Sequence, residues 1–252
     1  MQIQTLEELS LNALPALQQI LDRGWILRFA SGYTKRANSI TPLYVDLTSK
    51  SLEAKIKRCE RLYQQYDLPT IFRLTNSPQW SELDRVLDRL GYRWQDAVSV
   101  RVKTIDNVID GDRSLDRQSE IICESELSTE WLDGYVHAAT VPFQHWDTLT
   151  MMLELIPYPT CYAMLKHRNR FCSWGLGVLE RNCLGIFFFV TAQQKRRRSY
   201  ASQLISAMTD WGKAKGATKV YLQVETADRA GINLYNKLGF TEIYQYFYRC
   251  QL

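Results

Sequence analysis

The amino-acid sequence predicts an α/β (α+β) protein in which helices flank a mixed central sheet and the chain consists of two related halves. Short apolar runs typical of strands alternate with longer amphipathic runs typical of helices. One strand-loop-helix pattern occurs twice, and a constant offset of 148 residues superposes the copies without gaps. The composition, 46% apolar and 23% charged in 252 residues, is that of a globular protein with one or two domains.

The repeated pattern is an apolar strand, a short polar loop, an amphipathic helix and a Leu-Gly-aromatic ending. In the first half we predict the strand over 69–75 and the helix over 81–90, followed by Gly91-Tyr92. In the second half the strand covers 217–224 and the helix 231–238, followed by Gly239-Phe240. Each glycine stands where a helix C-terminus requires a left-handed residue, and the aromatic residue after it opens the next strand.

Upstream of the repeat, each half carries one more strand and helix. We predict these over 38–45 and 52–65 in the first half, and over 183–191 and 200–215 in the second. In such an order of strands and helices, ligands favour the loops at the carboxyl ends of strands.

The second half has extra elements before this shared unit. They are a strand over 120–124, one or two helices over 128–155 broken at Pro142, and a hairpin of strands 160–166 and 171–179. The order of the second half is therefore β-α-α-β-β-β-α-β-α-β. We expect residues 111–114 (Gly-Asp-Arg-Ser) to link a domain over 1–110 to a domain over 115–252.

Charge and cysteine usage exclude several classes of protein. Basic residues outnumber acidic ones by 31 to 27, and the run at 195–198 carries four positive charges, which equals the net charge of +4. Proteins that coat nucleic acids or membranes have broader basic stripes, so we expect neither partner. The sequence shows no secretory pattern, and its longest apolar run, 183–190, is far shorter than the roughly 20 residues of a membrane span. Six cysteines without a CxxC pair or zinc-ligand spacing indicate reduced thiols, a cytoplasmic protein and no metal.

The chemistry concentrates where the strand over 183–191 turns into the helix at Tyr200. The unpaired N–H groups and the dipole of a helix N-terminus attract phosphate, and neighbouring arginines add positive charge. The turn is not a Walker loop, because the Gly-Lys-Ser/Thr ending is absent. Taken alone, the run could equally be a solvated basic turn.

At this point the sequence resembles the GNAT superfamily of acetyl-CoA-dependent N-acetyltransferases. The acyl-CoA loop of that family, Arg/Gln-x-x-Gly-x-Gly/Ala, is matched by Arg196-Arg197-Arg198-Ser199-Tyr200-Ala201, with Val190 and Thr191 ending the preceding strand. The family pattern Asn-x-x-Ala-x-x-Leu-Tyr is matched by Asp228-Arg229-Ala230-Gly231-Ile232-Asn233-Leu234-Tyr235. The resemblance covers roughly 120–252. The first half looks like a truncated, degenerate GNAT-like copy, similar to tandem members.

The resemblance implies the GNAT fold and direct transfer of an acetyl group from acetyl-CoA to an amine. The implied CoA-binding residues are those of the loop and its surroundings: Val190, Thr191, Arg196, Arg197, Arg198, Ser199, Tyr200, Ala201, Asp228 and Tyr235. Tyr235 stands where the family places the phenol that protonates the leaving thiolate, although a core aromatic on an amphipathic helix is the alternative. A base must deprotonate the amine. Glu225 is the first candidate, and Glu180, His137 and His145 follow.

Ser199, Asp228 and the lack of a carboxylate in 185–190, the strand where several relatives keep a base, support an alternative function, and Gly231 is a further departure from the family pattern. Ser199 replaces a loop glycine, Asp228 replaces an asparagine, and Gly231 replaces an alanine. Serine tolerates close backbone approach less well than glycine, and a carboxylate repels phosphate. The alternative is a catalytically weak or inactive acyl-CoA-binding sensor on the same scaffold.

The repeat provides an internal control for the site. Four residues of the second half, Arg196, Ser199, Ala201 and Tyr235, correspond to Thr48, Ser51, Glu53 and Leu87 in the first. The first half thus lacks the basic residue and the phenol, so we expect only the second half to hold CoA. In the first half, residues 32–39 are interpreted as a turn, with a contribution to the acceptor pocket as the alternative.

The acceptor is expected to be a small-molecule or peptide amine, and the protein a monomer or homodimer. Seven aromatic residues occupy the segments that usually wall the acceptor: Trp131, Tyr135, Phe143, Trp146, Tyr158, Tyr162 and Trp174. Those that are not core residues would favour an apolar or cationic acceptor.

Overall fold

The computed structural model describes residues 2–44, 52–105 and 118–251. Within these ranges one mixed sheet of eleven strands is flanked by seven α-helices. No helix in them is long and apolar enough to cross a membrane. The expected link at 111–114, as well as Thr48 and Ser51, lies outside the described residues.

The first half contains three helices and five strands. In chain order they are α1 (Ile3–Ala13), β1 (Gln18–Asp22), β2 (Trp25–Phe29), β3 (Ile40–Pro42), α2 (Leu52–Gln65), β4 (Ile71–Thr75), α3 (Ser81–Arg89) and β5 (Arg93–Thr104).

The second half contains four helices and six strands. In chain order they are β6 (Ser119–Glu124), α4 (Thr129–Ala138), α5 (Trp146–Glu154), β7 (Thr160–His167), β8 (Arg170–Glu180), β9 (Cys183–Thr191), α6 (Tyr200–Ala214), β10 (Lys219–Glu225), α7 (Arg229–Lys237) and β11 (Thr241–Cys250). This order confirms the predicted β-α-α-β-β-β-α-β-α-β, and the two helices separate around Pro142 as predicted.

The offset of 148 residues holds in the structure. It carries both ends of α3 onto the ends of α7, and it carries the starts of α2, β4 and β5 onto those of α6, β10 and β11. Gly91 and Gly239 both have positive φ, at 86° and 83°, as the helix endings require.

Three elements at the start of the chain, α1, β1 and β2, have no counterpart in the sequence prediction. A two-residue turn at Arg23 and Gly24 joins the two strands, with φ of 44° and 84°, and such turns favour glycine. The predicted strand over 38–45 is shorter in the structure, where β3 has only three residues.

The helices cover both faces of the sheet. Side chains alternate along β7: Tyr162 and Met164 pack in the core beneath α1, α4 and α5, whereas Ala163 and Leu165 pack against α6 on the opposite face. In the first half, α2 and α3 pack over Phe72 of β4. The preceding residue, Ile71, points to the opposite face of the sheet and belongs to the core beneath α1. Helices α2 and α3 therefore lie on the same face as α6.

The two halves exchange their last strands. The strand order is β1-β2-β3-β4-β11-β5-β10-β9-β8-β7-β6. The final strand of each half, β5 or β11, pairs antiparallel with the penultimate strand of the other half, and the two final strands also pair with each other. The halves therefore share one continuous sheet.

A buried ion pair ties α1 to this exchanged region. Glu7 on α1 forms a bidentate pair with Arg73 on β4 and accepts a hydrogen bond from the Tyr244 hydroxyl on β11. The Arg73 guanidinium also lies 3.7 Å from the ring centre of Tyr246. Both charged side chains are buried.

Candidate active site

The candidate site lies where two neighbouring parallel strands of the second half diverge. Strands β9 and β10 pair over four positions, the last being Leu222 opposite Ile186. Beyond that pair the strands separate, and a cleft of about 370 Å³ opens between them. Its lining comes from both faces of the sheet, because it includes Tyr235 of α7 and Tyr135 of α4.

A bulge in β9 forms one wall of the cleft. The register with β8 shifts between the pairs Trp174–Val190 and Leu176–Phe187, and Phe188 has a φ of 47°. Gly175 lies opposite this bulge, and a Cβ there would come within 2.8 Å of the Phe189 ring. A bulge disrupts the ladder and redirects backbone groups. The backbone of residues 187–189 therefore faces the cleft without a partner on β10.

The loop after β9 carries the predicted CoA-binding residues. Val190 and Thr191 end the strand, and the Thr191 hydroxyl lies 2.7 Å from that of Ser173. Next come Arg196, Arg197 and Arg198, whose side chains are all exposed. The Arg196 Nε donates to the Thr191 carbonyl at 3.4 Å. The structure thus concentrates the basic run at the N-terminus of α6.

The backbone of this loop is suited to an anion. Arg197 and Ser199 have φ of 62° and 60°, the left-handed region that favours glycine. Ser199 is the N-cap of α6, and its side chain makes no capping hydrogen bond. The N–H of Gln203 is the first backbone N–H that donates to the Ser199 carbonyl, so the earlier N–H groups of the helix are available to a phosphate.

The two residues after Ser199 contribute backbone rather than side chains to the loop. The Tyr200 side chain is buried in the core, 5.4 Å from the His167 ring. Ala201 is half-buried and small. Only their N–H groups can therefore take part in binding.

The departures at Asp228 and Gly231 are coupled. The Asp228 carboxylate caps α7 by accepting from the Gly231 N–H at 2.9 Å. A Cβ on Gly231 would lie 2.4 Å from an Asp228 carboxylate oxygen. The glycine thus leaves room for the capping carboxylate, which lines the cleft.

Tyr235 also lines the cleft, half-buried and packed edge-on against the Phe240 ring at 5.9 Å. Burial, with a further contribution from the negative charge of Asp228, raises the pKa of Tyr235 to about 12. The phenol therefore stays protonated at neutral pH and can donate a proton or a hydrogen bond into the cleft.

Of the four candidate bases, only Glu225 lines the cleft; it is exposed at the end of β10. Glu180 is buried elsewhere, between Asn12 and Arg181. His137 is exposed on α4, with Nδ1 2.7 Å from the Asp133 carbonyl. His145 lies outside the cleft lining, with its ring 5.6 Å from that of Tyr33.

The first half supplies the opposite wall of the cleft. Leu14, Tyr33, Thr34 and Arg36 all line it. The segment over 32–39 does turn between β2 and β3, as interpreted from the sequence, but it also forms part of the site. The sequence gives one sign of this, a basic and aromatic cluster at 33–36 between two apolar strands.

Of the seven aromatic residues expected near the acceptor, only Tyr135 lines the cleft. Trp131 is fully buried, and its indole N–H donates to the carbonyls of Ala163 and Gly175. It is a core residue and cannot contact an acceptor. The Trp146 indole donates to the Val141 carbonyl at 2.9 Å, and the Phe143 ring is 82% exposed.

Two family models match this chain. The model described as the acetyltransferase (GNAT) family matches residues 122–240. The model described as the C-terminal region of the probable histone acetyltransferase Rv0428c matches residues 1–154.

Similar proteins match over almost the whole chain. The uncharacterized N-acetyltransferase YobR of Bacillus subtilis (strain 168) is 28% identical over 258 residues, which cover 98% of each chain. A GCN5-related N-acetyltransferase from Kribbella flavida has a TM-score of 0.74 at 12% identity, over 100% of this chain and 96% of that one. A tandem GNAT protein from the clavulanic acid biosynthesis pathway has a TM-score of 0.68 at 10% identity, over 98% and 87%. These two solved structures share the fold.

Proposed function

Because the chain belongs to the GNAT superfamily of acetyltransferases, we propose that it transfers an acetyl group from acetyl-CoA directly to the amine of a small-molecule or peptide acceptor. The observation that carries this proposal is the cleft between β9 and β10. It brings Tyr235, Glu225 and the unpaired backbone of 187–189 together. Strand β9 continues from that cleft directly into the basic loop before α6.

The loop is proposed to hold the pyrophosphate of acetyl-CoA. Exposed guanidinium groups from Arg196 to Arg198 supply positive charge, and the N–H groups from Tyr200 onward supply donors. This role fits the second half alone, because its counterpart in the first half has Glu53 in place of Ala201 and Leu87 in place of Tyr235.

The transfer requires three tasks of the residues in the cleft. A backbone N–H of the β9 bulge stabilises the negative charge that develops on the thioester oxygen as the amine nitrogen attacks the carbonyl carbon. Glu225, directly or through water, accepts the proton that the amine loses. The carbon–sulfur bond then breaks, and Tyr235 donates a proton to the leaving thiolate. These roles match the exposed carboxylate of Glu225 and the protonated phenol of Tyr235.

Acetyl-CoA titration by calorimetry, followed by a thiol-release assay over a panel of amines, tests the proposal. The wild-type protein should bind acetyl-CoA and release thiol with at least one amine. Tyr235→Phe should lower kcat roughly 100-fold, within the range measured for general acids, and leave the Kd for acetyl-CoA within about threefold. Tyr66→Phe, a change at an exposed tyrosine that does not line the cleft, is the matched control. Absence of binding at millimolar acetyl-CoA contradicts the proposal.

The second candidate is a sensor that binds acyl-CoA without turnover. Ser199 supports it, because a serine in the left-handed region occupies the position of a family glycine. Calorimetric binding of acetyl-CoA without thiol release from any amine of the panel would favour the sensor over the enzyme.

The remaining proposals concern domains and compartment. We propose a degenerate GNAT-like domain over 1–110, with a structural or substrate-shaping task, and a catalytic GNAT acetyltransferase domain over 115–252. We place the protein in the cytoplasm, where its six cysteines, all free in the structure, stay reduced. A monomer or a homodimer satisfies the site, because both walls of the cleft come from one chain.

A further inference from the structure

The first half places one arginine side chain in the wall of the cleft. Arg36 lies in the short 3₁₀ turn Lys35–Ala37 between β2 and β3 and lines the cleft beside Tyr33 and Thr34. It is half-buried, and its backbone carbonyl accepts from Arg28 at 2.9 Å. This hydrogen bond anchors the backbone of the turn, and the Arg36 side chain extends from it to the wall of the cleft.

The Arg36 guanidinium has no carboxylate partner and no hydrogen-bond acceptor within the ranges 2–44, 52–105 and 118–251. Other arginines near the exchanged strands are paired: Arg73 with Glu7, and Arg249 with Asp84 and Asp88. A guanidinium is always charged and offers five N–H donors. When it is partly shielded from water, binding of an anion is favourable because the anion supplies the missing acceptors and the opposite charge.

Further positively charged side chains line a small recess behind this wall. It is lined by Arg28, Arg36 and Arg73, with room for about one water-sized group, near 10 Å³. Arg28 is only 1% exposed, and its terminal nitrogens donate to backbone carbonyls. Its buried Nε has no hydrogen-bond partner among the described residues. Burial, together with the neighbouring charge of Arg73, lowers the pKa of Arg28. Within the lining of the recess there is no acidic residue.

The acidic groups of the cleft lie on the other wall. Glu225 and Asp228 belong to β10 and the start of α7, with Tyr235 beside them. No ion pair joins either carboxylate to Arg36 among the described residues. The cleft therefore presents an acidic wall at the proposed reaction centre and a cationic wall contributed by the first half.

We propose that the acceptor is an amine that also carries a carboxylate, such as an amino acid, and that Arg36 is the specificity-determining residue that binds the carboxylate. The amine then lies towards Glu225, where it loses its proton, and the carboxylate forms charge-assisted hydrogen bonds with the guanidinium. The cleft volume, about 370 Å³, fits such a small molecule. This inference rests on the proposed acetyl transfer and assigns its acceptor class.

The test is a thiol-release assay with L-amino acids, β-alanine and 4-aminobutyrate, each measured beside its carboxamide. We expect wild-type kcat/KM to favour at least one carboxylate over its amide by about 10- to 100-fold, the range of a charge-assisted hydrogen bond. Arg36→Met should abolish this ratio, mainly through a higher KM for the carboxylate. Arg36→Lys should restore part of it.

Control variants separate binding from folding. Arg85→Met removes an exposed arginine on α3 that pairs only with Glu82, so both substrate series should be unaffected. Arg36→Met should keep the wild-type melting temperature within a few degrees and bind acetyl-CoA with unchanged Kd, because no protein partner of its guanidinium is lost.

A second measurement does not depend on turnover. In the presence of CoA, N-acetylated amino acids should raise the melting temperature of the wild-type protein more than their amides do, and Arg36→Met should remove the difference. The carboxylate assignment is overturned if acids and amides give equal kcat/KM values and equal shifts in melting temperature. It is also overturned if Arg36→Met retains the wild-type ratio of kcat/KM. Either result leaves the proposed acetyl transfer intact. Failure to bind acetyl-CoA refutes the proposed function itself, and stabilisation by the acids then still reports on Arg36.

Discussion

Removal of the negative charge of Glu7 tests how the two halves are held together. Glu7 is 3% exposed and joins three elements: α1, which carries it, β4 through Arg73, and β11 through Tyr244. Glu7→Gln keeps the size and shape of the side chain. The amide oxygen can still accept one hydrogen bond, but an NH₂ group then faces the Arg73 guanidinium. The buried positive charge thereby loses the one carboxylate that pairs with it among the described residues.

The structure sets the expected size of the effect. Breaking a buried ion pair by removing one partner costs about 3–5 kcal/mol, because the remaining charge is left in a poorly solvated site. Arg28 and Arg36 line the same recess as Arg73, so other positive charges adjoin the one left unpaired. For a chain of this length, each kcal/mol lowers the melting temperature by about 2–4 °C, which gives a decrease of roughly 6–20 °C.

The measurement is urea unfolding and thermal melting of Glu7→Gln, with Glu8→Gln as the matched control. Glu8 is the next residue of the same helix. It is half-buried and pairs with the exposed Arg181, so loss of this pair should cost about 1 kcal/mol or less. The double variant Glu7→Met/Arg73→Met should be more stable than Glu7→Gln, since it leaves no unpaired charge. A cost below about 1 kcal/mol for Glu7→Gln, or a double variant no better than the single ones, would refute the reasoning.

Three further predictions concern the site. Ser199→Gly should tighten acetyl-CoA binding about 3- to 10-fold in calorimetry, because glycine adopts the φ of 60° without steric cost; weaker binding would contradict this. Gly231→Ala should destabilise the wild-type protein by displacing the Asp228 cap and be neutral or stabilising in an Asp228→Ala background, a coupling of about 1 kcal/mol in urea unfolding. With the pKa of Tyr235 raised to about 12, its proton stays in place through pH 10, so the pH profile of kcat should show no fall assigned to this phenol below about pH 11.

The second half was predictable from sequence because its elements are long and its signals local. A hydrophobic period, a proline break and a glycine after each helix identify it without knowledge of distant contacts. By contrast, β3 has three residues and β1 has five, too short for a clear alternation, and α1 has a mixed face in which Glu7 is buried. A sequence pattern predicts that such a glutamate is exposed to solvent. In the structure Glu7 is buried and pairs with Arg73, 66 residues further along the chain.

The candidate site likewise has one part that local sequence patterns predict and one part that they do not. The loop residues Arg196 to Ala201, together with Asp228 and Tyr235, lie in continuous motifs, and the resemblance of these motifs to the GNAT patterns predicts that they belong to one site. Arg36 reaches that site only because the first half packs beside α4 and β10, a contact across about 190 residues of chain that no local pattern encodes. Its position cannot be deduced before the order of the strands is known.

The exchange of strands gives the first half a part in the candidate site, although it has Glu53 and Leu87 in place of Ala201 and Tyr235. Strand β10, which carries Glu225, pairs with β5 of the first half over seven positions and with β9 over only four. Without β5, one edge of β10 would be left unpaired beside the cleft. The first half therefore supplies both the strand that supports the candidate base and the turn that carries Arg36. In the proposed function the first half needs no CoA-binding residues for these two tasks, because neither its last strand nor this turn is proposed to bind the cofactor.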